Sequence, residues 1–249
     1  MAGRRCDLIL RQLFDGESCT YTYLLGCANT RKAVIIDPVD TKVSRDAKII
    51  SELKLDLEYA INTHVHADHI TGSGFLKGLV GCKTVISEAS KAKSDIHLQD
   101  GDILSFGNRE LEARATPGHT YGCMTFVDHG SKMAFTGDSL LIRACGRTDF
   151  QQGDSTVLYQ SIHDRILTLP DDYQIYPGHD YRGMSVSTVG EEKEYNPRLT
   201  LKLNDFIQVM STLGLAAPRK IVESIPMNML DGVGQIDDHK HLRMDHSDE

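Results

Sequence analysis

Seven residues of this chain have the types and spacing to build a metal centre: His64, His66, Asp68, His69, His119, Asp138 and His179. Four of them fall in one stretch, Thr63-His64-Val65-His66-Ala67-Asp68-His69, at the end of the strand-like run Leu57–Thr63. In extended chain, residues two apart point the same way, so His64 and His66 can aim at one point. The following turn then brings Asp68 and His69 round to the same cavity. Imidazole and carboxylate are ligands suited to Zn, Fe or Mn. The alternative is four polar residues decorating a strand-to-helix loop. A random loop seldom gathers three histidines and an aspartate so closely.

Three later segments repeat the arrangement of an apolar strand running into a candidate ligand. Glu110-Leu-Glu-Ala-Arg-Ala-Thr-Pro-Gly leads to His119, Ser131-Lys-Met-Ala-Phe-Thr-Gly to Asp138, and Tyr173-Gln-Ile-Tyr-Pro-Gly to His179. Ligands at strand ends converge when the strands lie side by side, as loops do along one edge of an α/β sheet. Gly118 and Gly137 permit tight backbone turns just before a ligand. His97, His129 and His163 lack any such context and receive no role.

The elements that must carry these residues are legible as short β-branched or aromatic runs bounded by Gly, Pro, Asn or Asp. They are Thr20–Leu25, Ala33–Asp37, Leu57–Thr63, Lys83–Ser87, Leu111–Thr116, Met124–Val127, Lys132–Thr136 and Gln174–Tyr176. Ser44–Leu55 predicts a helix with Ser44 as N-cap. Thr156–Leu167 predicts another, capped by Asp154 or Ser155 and stopped by Pro170. Helical segments follow around Val189–Tyr195 and Leu201–Leu213. The reading is a single domain over residues 1–236 with a helical C-terminal extension, then a disordered His/Asp-rich tail over 237–249. His239, His241 and His246 in that tail read as solvated residues.

At 249 residues the chain is long enough to bury a sizeable core, and 40% hydrophobic with 25% charged residues is ordinary for a globular protein. A formal charge of −8 argues against a general nucleic-acid or anionic-membrane surface, but not against a local basic pocket for a small anion. No uncharged apolar run approaches the roughly 20 residues that span a bilayer. The start, with Arg4, Arg5 and Arg11, lacks the apolar core and cleavage site of a secretory signal. It reads as a short basic arm, with the stub of a trimmed organellar presequence as the alternative. The six cysteines, at 6, 19, 27, 82, 123 and 145, form no C-x-x-C pair and suggest reduced, mostly buried thiols in a reducing compartment.

The motifs Thr-His64-Val-His66-Ala-Asp68-His69, Pro-Gly-His119-Thr, Thr-Gly-Asp138 and Pro-Gly-His179-Asp resemble those of the metallo-β-lactamase superfamily. That resemblance implies an α/β fold of αββα type: two mixed β-sheets packed face to face, flanked by helices, with metal at one edge. Within the superfamily, Arg11-Gln-Leu-Phe14, Ile36-Asp-Pro-Val39, Ala67-Asp-His-Ile-Thr-Gly72, Leu141-Ile-Arg-Ala-Cys-Gly-Arg-Thr-Asp-Phe-Gln151 and Asn196-Pro-Arg-Leu199 resemble the persulfide dioxygenase branch. The chain departs from that branch's usual pattern at Ser139, Ala144, Gly178 and Met227, none of them a ligand.

The resemblance implies one Fe(II) per chain, held by His64, His119 and Asp138, with His66, Asp68, His69 and His179 behind them to orient ligands and bound water. Two histidines and one carboxylate agree with the ligand set of oxygen-using non-haem iron sites, although a two-metal hydrolase would use the same seven residues. The implied reaction is oxidation of glutathione persulfide by O₂ to sulfite and glutathione. Arg147, Arg198, Tyr181 and Asn228 are the candidate substrate-binding residues, each arginine having a loop-fixing ion pair as its alternative role. The rival activity is hydrolysis of a glutathione thioester at a two-metal site, as in glyoxalase II. A two-zinc nuclease or lactamase fits the charge and the Cys145–Phe150 loop less well, and a non-enzymatic scaffold fits an intact ligand set poorly. The branch implies a mitochondrial matrix protein in a eukaryote and a cytoplasmic one in a bacterium, not a secreted one. A homodimer is compatible with the sequence.

Overall fold

The computed structural model describes residues 8–234. The basic arm before Leu8, the expected boundary at 236 and the tail over 237–249 lie outside the described residues. Two six-stranded sheets form the centre. The first holds β1 (Leu8–Asp15), β2 (Thr20–Cys27), β3 (Lys32–Ile36), β4 (Asp56–Ile61), β5 (Lys83–Ser87) and β6 (Ile96–Leu98), side by side in that order. β1 to β3 pair antiparallel and β3 to β6 pair parallel.

The second sheet holds β7 (Ile103–Phe106), β8 (Arg109–Ala115), β9 (Met124–Asp128), β10 (Met133–Gly137), β11 (Gln174–Pro177) and β12 (Ser187–Thr188), again in chain order. Only β10 and β11 pair parallel there. Both sheets are therefore mixed. β1, β6, β7 and β12 were not among the predicted strands: β1 has the adjacent polar residues Arg11 and Gln12 in its middle and no strict alternation, and the other three span only two to four residues each.

Period-two alternation explains the layering. Leu24 and Leu25 are both fully buried, but Leu25 packs between the sheets while Leu24 faces the outer helices. Val34 and Ile36 likewise point inward while Ala33 and Ile35 point outward, and in the second sheet Phe135 points in while Ala134 points out. Each central strand is thus apolar on both faces, which requires a cover on each side. Helices α1 (Val43–Glu52) and α2 (Ser73–Val80) cover the first sheet through Ile50 and Leu76. Helices α3 (Ser155–Ser161), α4 (Val189–Tyr195) and α5 (Leu203–Ser211) follow the order of the second half. α3 and α5 cover the second sheet through Leu158 and Phe206. Four layers result.

Local signals set most helix ends. Asp154 accepts from the backbone N–H groups of Thr156 and Val157 and starts α3, as its sequence predicts. The continuation differs from a plain helix: Ile162–Ile166 widens into a π-helical turn. Ser44 does not cap α1, because a 3₁₀ turn over Asp40–Lys42 runs straight into the helix and puts Ser44 inside it. A further helix, α6 (Ile221–Asn228), was not predicted, with Pro226 within it. No helix among the described residues is long and apolar enough to cross a membrane. Of the described cysteines, 27, 82, 123 and 145 are buried thiols and Cys19 is partly so.

Candidate metal centre and substrate cavity

Strand ends deliver the polar cluster to one edge of the sandwich. β3 runs into Asp37, β4 into His64, β8 into His119, β10 into Asp138 and β11 into His179. Gly118 turns at φ +129, and a Cβ there would lie 2.3 Å from the Leu158 backbone. Gly137 turns at φ +49, where a Cβ would press on Thr63 at 2.5 Å. Glycine is needed at both.

The ligand-type atoms of His64, His119 and Asp138 all lie within 4.8 Å of one another, and those of His66, Asp68 and His179 form a second such group. Asp138 stands between the groups, its carboxylate 3.6 Å from His119 Nε2 on one side and 3.6 Å from His179 Nε2 on the other. His69 lies against Asp68, Nδ1 to Oδ2, at 2.9 Å.

Hydrogen bonds fix the imidazole tautomers. The Arg147 carbonyl can only accept, so its 2.7 Å contact puts a proton on His119 Nδ1 and leaves Nε2 as the lone-pair nitrogen. The Thr63 hydroxyl donates to Asp37 Oδ2 at 2.8 Å and therefore accepts from His64 Nδ1 at 2.9 Å, which again frees Nε2. Burial, with His66 and His119 close by, keeps His64 far below its ordinary pKa and hence neutral, the form a metal requires.

Carboxylate charge shapes the rest. Burial works against the ionised form of Asp68, yet His179 and His69 hold its pKa well below the usual range. Burial likewise opposes charge on His179, but the Asp138 and Asp68 carboxylates push it up to about 9. Asp138 Oδ1, His66 Nδ1 and His69 Nε2 are buried without a hydrogen-bond partner among the described residues. Three such atoms in one cluster of carboxylates and imidazoles fit a bound cation, because unpaired buried polar atoms are otherwise costly.

Asp37 had no role in the sequence reading beyond its place in the Ile36–Val39 resemblance. It is 1% exposed, and its carboxylate accepts from Thr63 N at 2.7 Å, from the Thr63 hydroxyl, and from His66 Nε2 at 3.1 Å. Burial disfavours a charged His66, and Asp37 overcomes this to raise its pKa. Thr20 was also missed; its hydroxyl lies 3.4 Å from Asp68 Oδ2, His69 Nδ1 and His179 Nδ1 alike. A polar residue at the end of an apolar strand was the available signal for Asp37. Nothing local marks Thr20.

A cavity of about 510 Å³ opens on this cluster, and His119, Asp138, Arg147, His179, Tyr181 and Arg198 are among its walls. The Tyr181 ring lies parallel to His179, 10° between planes with centroids 6.0 Å apart. Arg198 donates from Nη1 to the Cys145 carbonyl at 2.9 Å and has no carboxylate partner among the described residues. Arg147 lines the cavity, but its guanidinium is engaged elsewhere. Its guanidinium is paired with both oxygens of Asp149 and donates to the carbonyls of Leu215 and Ala216, so the loop consumes it.

Asn228 is not brought to the cavity at all. It is 4% exposed behind the metal loop, donating to the carbonyls of His66 and His69 and accepting from Thr71 N. All its amide atoms hold backbone, which corrects its expected role as a substrate contact.

This architecture is that of the metallo-beta-lactamase superfamily, whose family model matches residues 16–179. The mitochondrial persulfide dioxygenase ETHE1 of Homo sapiens is 56% identical over 232 residues, covering 93% of this chain and 91% of that protein. The crystal structure of ETHE1 from Myxococcus xanthus superposes with a TM-score of 0.88 at 44% identity, covering 90% of this chain and 99% of that one. A probable hydroxyacylglutathione hydrolase of Schizosaccharomyces pombe is 32% identical over 242 residues, covering 81% of this chain and 94% of that protein. The chain belongs to the persulfide dioxygenase family of the metallo-β-lactamase superfamily.

Proposed function

We propose that the chain is an iron-dependent persulfide dioxygenase that oxidises glutathione persulfide with O₂ to sulfite and glutathione. The observation that carries this is the convergence of His64, His119 and Asp138 beside a cavity that also holds arginine. A single Fe(II), held by these three residues, would supply the redox chemistry that joins persulfide sulfur to dioxygen. The remaining work belongs to the protein. Thr63 and the Arg147 carbonyl hold two imidazoles in the metal-binding tautomer, while Asp37 and Asn228 hold the loop that bears His66 and His69. Arg198 binds a substrate carboxylate, and Tyr181 covers His179 from the open side. Proximity and exclusion of stray oxidation matter more here than acid–base chemistry. The compartment follows the source: mitochondrial matrix in a eukaryote, cytoplasm in a bacterium.

A second reading, thioester hydrolysis at a two-metal site, is favoured by the His66, Asp68 and His179 group and by the two unpaired histidine nitrogens. The lower identity of the hydrolase relative weighs against it. The test is anaerobic purification, a metal count per chain, and O₂ uptake with glutathione persulfide. One iron with O₂ consumption is the expected result. Two zincs, thioester hydrolysis and no O₂ uptake would overturn it.

A further inference from the structure

Three arginines line the cavity and their surroundings differ. Arg147 spends four of its five N–H donors on Asp149 and two backbone carbonyls. Half-buried Arg198 touches a carbonyl and two sulfur atoms, with no acid beside it. Arg182 is exposed at the mouth, and its guanidinium has no partner among the described residues. Its backbone is nevertheless fixed. Asp180 Oδ2 accepts from the N–H groups of both Arg182 and Met184, at 2.9 and 2.7 Å, while Tyr21 and Gln12 hold the carbonyls of Met184 and Ser185. This arrangement occupies Oδ2 of the neighbouring aspartate and leaves Oδ1 without a partner among the described residues. The loop thus places, among the walls of one cavity, a guanidinium and a carboxylate oxygen that both lack a partner among the described residues.

That pair matches an α-amino-acid head group, which carries one carboxylate and one ammonium. Glutathione has two unlike ends: a glycine carboxylate standing alone, and a γ-glutamyl end bearing both charges. Arg198, with no acid nearby, suits the lone carboxylate. We propose that Arg182 and Asp180 form the subsite for the γ-glutamyl head group of the substrate, opposite the glycine carboxylate on Arg198. This rests on the glutathione persulfide reading and adds what it lacks, the direction in which the tripeptide lies and the residue that selects its γ-glutamyl end.

The test is calorimetric titration of the iron-loaded protein with glutathione and with cysteinylglycine, which lacks the γ-glutamyl residue. Arg182→Gln is expected to weaken glutathione roughly tenfold, the loss of one charge-assisted pair, and to leave cysteinylglycine unchanged. Arg182→Lys restores part of the loss. In turnover the same variant raises KM for glutathione persulfide while holding kcat. Equal affinity of Arg182→Gln and wild type for glutathione, or equal weakening of both ligands, overturns the subsite. With O₂ uptake intact in the wild type, either result removes the subsite alone. If the wild type neither binds glutathione nor consumes O₂ with its persulfide, the subsite and the dioxygenase reading fall together.

Discussion

The backbone carbonyl of Arg147 accepts the Nδ1 proton of His119 across 2.7 Å, so the loop that carries Arg147 sets the orientation of a candidate iron ligand. The Arg147 side chain only anchors that loop, through Asp149 and the carbonyls of Leu215 and Ala216. Backbone and side chain therefore act separately. Gly146, just before it, has no room for a methyl group: a Cβ would meet the Asp138 carbonyl at 2.2 Å and the His119 ring at 2.9 Å. Gly146→Ala is expected to lower iron affinity at least tenfold, whereas Arg147→Ala keeps the carbonyl and loses less. Iron content after dialysis against a graded chelator checks the order.

Replacing ligands should separate the two groups of metal-type residues. Asp138→Ala is expected to lose iron and O₂ uptake together, while His66→Ala retains much of its iron. Metal analysis of both variants, with circular dichroism as a control for folding, decides this. Equal metal loss would contradict the assignment of His64, His119 and Asp138.

Asp37 binds no substrate, yet it holds Thr63 by two hydrogen bonds and His66 by a third. Asp37→Asn replaces an acceptor-only group by one that must also donate. The expected cost is about 2 kcal/mol of stability and a 10- to 100-fold loss of iron affinity. Urea unfolding and metal titration measure the two separately.

Asn228→Ala leaves Thr71 N and the carbonyls of His66 and His69 without their side-chain partner. A loss on the order of 3 kcal/mol is expected, visible as a lower melting temperature in the metal-free protein as well as the loaded one. If Asn228 acted only on substrate, KM would move and stability would not.

Asp46 offers a pH test remote from the metal. Burial raises its pKa from 3.8 to about 6, against the opposing pull of Arg45. For an acid raised on folding, the folded state binds the proton more tightly, so stability falls as pH climbs from about 4 to about 6 and then levels. Asp46→Asn removes that dependence. Its melting temperature should exceed that of wild type at pH 8, and the difference should shrink toward pH 4. A constant difference across that range would show that ionisation of Asp46 is not its source.

The sequence by itself marked the seven metal-type residues, most of the central strands and the Asp154 cap. These are local signals: an apolar run of period two, a glycine that permits the turn, and a polar residue where the strand stops. The type of chemistry was legible for the same reason, since ligand identity is written in residue type. Tertiary structure alone decided the partners. Arg147 finds Leu215 and Ala216 on a distant segment, Asn228 reaches back to the loop of His66 and His69, and Gln12 and Tyr21 of the first sheet hold the loop after Arg182. Whether a guanidinium is spent on its own loop or kept for a ligand depends on which groups packing brings within 3 Å. No spacing along the chain encodes that distance.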